Sequence, residues 1–161
     1  MRLVALALVS LAVTQVGQIV SAHGVRVTIP AGWSRVRAAS AGAVTDPRTL
    51  LVVGTAGVRP RPSLCQIAAY RVPPTGAVVV VVGWQKLALS GAAKQRPGRW
   101  PLARLTAVRR PSFECFAGRG AAVSVVLAGR AYQVNVMVGD RASGQRVAAA
   151  LAVARSFALA R

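Results

Sequence analysis

Acidic side chains are almost missing from this chain. Asp46, Glu114 and Asp140 are its three carboxylates, against nineteen Arg and two Lys in 161 residues. There is one His, His23, and there are two Cys, Cys65 and Cys115. These shortages remove the parts of most enzyme mechanisms. A Ser-His-Asp triad would have to recruit His23, and no Gly-x-Ser-x-Gly elbow is present. Glycoside hydrolysis needs two carboxylates, yet Asp46 precedes a proline in a turn and Asp140 sits where a helix would be capped. Glu114, flanked by Phe113 and Cys115, is the acid left over. No metal-ligand spacing, phosphate-binding glycine loop or dinucleotide fingerprint occurs, so no cofactor and no metal site is expected.

A long apolar run is also missing. Leu3 to Val13 is apolar apart from Ser10, but Thr14, Gln15, Gly17 and Gln18 interrupt it. A spanning helix needs about 20 apolar residues. With Arg2 before the run and Val20-Ser21-Ala22 after it, the pattern is that of a secretory signal peptide over 1–22. Cleavage after Ala22 leaves a single secreted domain over 23–161, with no transmembrane span, in a secreted or envelope-associated location. Two Cys in an exported chain point to a Cys65–Cys115 disulfide. A reactive thiol would need an activating neighbour, and the one His lies at the new terminus.

The formal charge is +18, and losing Arg2 with the leader leaves +17. A GC-rich genome accounts for Arg in place of Lys but not for the scarcity of acids. Such a charge attracts anionic polymers. The stretch from Lys94 to Arg110 collects Lys94, Arg96, Arg99, Arg104, Arg109 and Arg110 around Trp100 with no acid. Lys94, Arg96, Arg99, Trp100, Arg109 and Arg110 are therefore the candidate anion-binding residues, acting by charge and stacking. The expected partner is an anionic envelope polymer or a protein; nucleic acid is not the expected partner of an exported chain.

Apolar periodicity supplies the fold. Tyr132, Val134, Val136 and Val138 alternate with polar or smaller neighbours, as do Val123, Val125 and Leu127, with Gly129-Arg130 between the runs as a hairpin turn. Val25, Val27 and Ile29 alternate with Arg26 and Thr28. A second alternation over Ser34 to Ala38 would make a hairpin with Arg26, Arg35 and Arg37 on one outer face. Leu50 to Val53 reads as a short strand. Val78 to Val82 reads as a central strand buried on both faces. Ser63 to Tyr70 reads as a short helix capped by Ser63, with a strand as the alternative. Leu102 to Val108 reads as an edge strand. A C-terminal helix begins at Asp140 or Ser143 and runs to about Arg155, with Val147, Leu151 and Ala154 on one face. Ser156 to Leu159 returns as a strand.

Val27-Thr28-Ile29-Pro30-Ala31-Gly32-Trp33, Glu114-Cys115, Gly129-Arg130-Ala131-Tyr132, Val138-Gly139 and the closing Ala154-Arg155-Ser156-Phe157 resemble segments of small exported proteins of unknown function from GC-rich Gram-positive bacteria. The opening strand, the Pro-x-Gly-Trp turn and the closing helix also resemble, more distantly, the PsbP-type extrinsic photosystem fold. That resemblance implies an antiparallel sheet with helices packed on it and carries no active site.

The expected class is α+β: a mostly antiparallel sheet with a short helix and a C-terminal helix packed on it. The expected function is that of an exported non-enzymatic domain, associating with anionic envelope material or a protein partner. The alternative is a small extracellular hydrolase using Glu114 or His23.

Overall fold

The computed structural model describes residues 17–40, 44–86, 95–111, 113 and 115–161, without the side chains of Arg110 and Pro111. In chain order the elements are β1 (Gln18–Ala22), β2 (Val25–Ile29), β3 (Trp33–Arg35), β4 (Arg48–Thr55), β5 (Arg59–Pro60), β6 (Tyr70–Arg71), β7 (Ala77–Gly83), α1 (Trp100–Ala103), β8 (Arg110–Pro111), β9 (Arg119–Leu127), β10 (Arg130–Val138), α2 (Gly144–Arg155) and β11 (Ala158–Leu159). All the strand pairs are antiparallel. Six strands form the main sheet in the order β3-β4-β7-β10-β9-β8. A smaller sheet runs β1-β2-β11, and β5 pairs with β6 alone.

The valine run sits where its composition directs it. Val79 and Val81 of β7 join the core on one face of the main sheet, while Val78, Val80 and Val82 join that on the other. All five are buried, because β4 and β10 flank β7 and both faces are covered. On the first face lie β2, α2 and Phe157, whose ring meets that of Tyr132 at 5.5 Å between centroids. On the second lie Val36, Ala68, Tyr70, Phe113 and Phe116. Covering an antiparallel sheet on both sides explains why β10 reads Val-Asn-Val-Met-Val: even its Asn135 is buried, its Nδ2 donating to Val80 O at 3.2 Å.

Two hairpins turn on two residues with positive φ. Ala128 (48°) and Gly129 (72°) join β9 to β10, and His23 (48°) and Gly24 (77°) join β1 to β2. This handedness matches the twist of paired strands. The β9–β10 turn is thus Ala128-Gly129, and Arg130 belongs to the strand, one residue from where the sequence pattern put it. The boundary read between Ala22 and His23 falls inside the other turn.

Three expectations change. The segment 63–70 is not helical. Ser63 Oγ accepts from Cys65 N at 3.0 Å, closing a local turn in place of a helix cap. Leu64 is fully exposed, and Arg61 holds the returning chain through Arg61 N to Ala69 O and Nε to Ala68 O. The stretch 102–108 is not an edge strand: α1 occupies its start, with Pro101 in the first turn, where a missing N–H does no harm. Its buried residues, Leu102, Leu105 and Val108, recur every third position, not every second. Finally, β2 and β3 do not pair. The turn closed by Trp33 N to Pro30 O carries the chain from the small sheet to the main one, so Arg26 and Arg35 lie on different sheets.

The C-terminal helix is α2. Ser143 caps it, its Oγ accepting from Arg146 N at 3.2 Å, whereas Asp140 Oδ1 accepts from Arg141 N in the preceding turn. Among the described residues no helix is long and apolar enough to cross a membrane.

Candidate anion-binding cleft

The end of β7 is where basic and aromatic side chains meet. Gly83, its last residue, is registered with Arg48 of β4 on one side and Tyr132 of β10 on the other. A Cβ on Gly83 would lie 2.7 Å from Leu50 Cδ1 and 3.2 Å from Tyr132 Cδ1. Glycine therefore leaves open a floor that any other residue would fill. The chain then leaves the sheet with Trp84 N bonded to Ala131 O at 3.0 Å and Gln85 N bonded to Asp46 Oδ1 at 3.0 Å.

A cleft of about 600 Å³ opens there, lined by His23, Arg48, Thr49, Leu50, Gly83, Trp84, Gln85, Arg130 and Tyr132. Two guanidinium groups and one imidazole share it, and none of the described residues that line it carries a carboxylate. Asp46, the nearest acid in sequence, is occupied by the Gln85 amide.

Other arginines are engaged elsewhere. Arg61 donates to Cys115 O, Arg99 to Arg155 O, Arg119 to Ala142 O and Arg155 to Leu105 O. Those guanidiniums close loops and helix ends. Arg48 and Arg130 are exposed, and no described residue accepts from either guanidinium. Arginine without a protein acceptor keeps its planar fork for a carboxylate or phosphate. Trp84 and Tyr132 add flat apolar surface beside it.

The residues singled out in the sequence lie elsewhere. Trp100 is 48 % exposed on α1, and Arg104, not Arg99, lies over its ring at 5.8 Å. Trp100 and Arg104 border a separate hollow of about 290 Å³ with Pro101, Leu105, Ala122 and Val123. The Arg99 guanidinium reaches Arg155 O at 3.2 Å, while Arg96 and Arg109 are exposed. Lys94 and Glu114 lie outside the described residues, as does the side chain of Arg110. His23 lines the cleft.

Cys65 and Cys115 form the disulfide, with Cα atoms 6.1 Å apart. It ties the 58–72 segment to the Phe113–Phe116 turn over the second face of the sheet. Among the described residues no group of three or more His, Cys, Asp or Glu is placed to hold a metal ion.

Sequence reasoning missed Arg48, Trp84, Arg130 and Tyr132 as a group. They are spread over 84 positions and meet only through the β4-β7-β10 register. The local signal was Gly83-Trp84, a glycine closing an apolar strand before an aromatic. Comparison with protein-family models and with curated proteins gives no match.

Proposed function

We propose that this is an exported, non-enzymatic α+β domain that binds an anionic ligand of envelope material, with the cleft at the end of β7 as the site. The carrying observation is that Arg48 and Arg130 line one cleft with Trp84 and Tyr132, with no carboxylate among the described residues of its lining. The two guanidiniums take phosphate or carboxylate groups, and the indole and phenol rings take the adjoining carbon skeleton. The remaining positive charge attracts the polymer from a distance and is screened by salt. Export rests on the leader pattern and is supported by the disulfide, a bond typical of oxidising compartments.

Binding of a poly(glycerol phosphate) chain, titrated at several salt concentrations, tests the site. Each phosphate neutralised on duplex DNA contributes a slope of about −0.9 in log affinity against log salt. Replacing Arg48 and Arg130 with Gln should remove about two such contacts and weaken binding at least about tenfold. Arg35→Gln with Arg37→Gln should do much less. Equal losses from both pairs would leave diffuse attraction with no site, and no binding at low salt would end the proposal. The hydrolase alternative has His23 on the cleft, with no carboxylate among the described residues that line it.

A further inference from the structure

Strand β1 is made from the last residues of the segment read as a leader. It pairs with β2 in full register, from Gln18↔Ile29 to Ala22↔Val25. If export removes residues 1–22, β1 is the one described element that the fold loses. The inference below rests on that processing and not on the cleft.

Alternation along β2 fixes what the loss exposes. Gly24 O accepts from Ala160 N, Arg26 is registered with Ala158, and Thr28 bonds Ser156 Oγ through both its N–H and its C=O. The even residues of β2 therefore face β11. The backbone groups of Val25, Val27 and Ile29 face the other way, toward β1. Removing β1 leaves three N–H and three C=O groups in a row. Such a row is a template for another strand. The outer strands of the main sheet, β3 and β8, are three and two residues long. Without β1, the five residues of β2 would themselves form an edge of the small sheet.

The seated strand shows what fits. Val20 and Ala22 are half-buried against the core, whereas Ile19 and Ser21 are exposed. Beyond Ile29 the strip continues into a shallow groove of about 350 Å³ lined by Thr28, Ile29, Ala149, Ala152, Val153 and Ser156. A second copy of the chain would bring +17 against +17. Charge complementarity instead favours a neutral or acidic segment of another protein.

We propose that the exported protein captures an extended, neutral or acidic segment of a protein partner as a new antiparallel strand on β2. That segment carries side chains no larger than valine at alternate positions. Backbone hydrogen bonds to Val25, Val27 and Ile29 give affinity, and the Val20 and Ala22 positions give selectivity.

The test uses protein recovered after export, its N-terminus read by intact mass. The probe is a labelled peptide, Gly-Gln-Ile-Val-Ser-Ala, copied from residues 17–22. Amide exchange at Val25, Val27 and Ile29 should be fast in the free protein and slowed by the peptide. N-methylation at the position of Val20, which donates to β2, should weaken binding at least about tenfold; N-methylation at Ile19, which points away, should change it less than about twofold. Equal effects of the two methyl groups, or no slowing of exchange, would overturn the edge site. Dimerisation with protection of the same three amides would also overturn it, by making a second copy the occupant. A mass that retains Gln18–Ala22 overturns the proposal at its premise, separately from the peptide result.

Discussion

Tyr70 is the buried side chain with the plainest pH signature. It is 1 % exposed, and its oxygen accepts from Ala39 N at 3.0 Å. Burial pushes the phenol up from its ordinary value of 10.0, partly opposed by the Ala39 hydrogen bond. The folded state therefore holds the proton more tightly than the unfolded chain. This contribution is fully present below the ordinary tyrosine value and is lost as pH rises from there through the folded value. Tyr70→Phe should cost about 1 kcal/mol near neutral pH, because Ala39 N–H loses its acceptor. The same change should flatten the alkaline fall in stability. Urea midpoints of both proteins on either side of pH ~10 check this; parallel alkaline limbs would remove Tyr70 as their source. Gly83 offers a second residue-scale test. Gly83→Ala presses a methyl group against Leu50 and Tyr132, and overpacking of this kind costs about 1–3 kcal/mol. It should also weaken polyanion binding, since it raises the cleft floor; unchanged affinity would mean that the ligand does not reach that depth.

Among the elements, the disulfide and α2 make opposite predictions. Cys65 and Cys115 are 50 residues apart, and a loop of that length corresponds to about 4 kcal/mol in the chain-entropy account. Cys65→Ala with Cys115→Ala should lower the thermal midpoint and loosen 58–72 first, because β5 and β6 pair only with each other. Calorimetry and amide exchange at Arg61, whose N–H donates to Ala69 O, read this. Gly144 opens α2 with nothing near a prospective Cβ, so Gly144→Ala should stabilise by about 0.5–1 kcal/mol. The elements legible in the sequence were those whose packing follows one period. The β10 alternation and the valine run follow the two covered faces of one sheet, and the stripe of α2 answers to the layer beneath it. The segment 63–70 was illegible because tethers outside it, Arg61 and Cys115, override its local preference. The segment 102–108 was illegible because its period of three belongs to neither template.

At the scale of the molecule, charge and topology set the behaviour. With +18 on the chain and two of its three acids accepting from backbone amides, self-repulsion opposes the compact state. Raising salt from about 0.01 to 0.15 M shortens the screening length from about 30 to 8 Å. The thermal midpoint should therefore rise over that range; a flat or falling midpoint would show that no net repulsion is being relieved. The cleft belongs to this scale too. Charge counting favoured the densest basic stretch, Lys94 to Arg110, of which Lys94 and the Arg110 side chain lie outside the described residues. Arg99 turns to a helix end, while Arg48 and Arg130 converge through strand register. The pairing of β2 with β11 carries a further consequence. Thr28 and Ser156 meet although they are 128 positions apart in sequence. A ribosome makes β2 long before β11. The small sheet therefore cannot close until the chain has grown past Leu159, and β2 waits for its second neighbour through most of that growth.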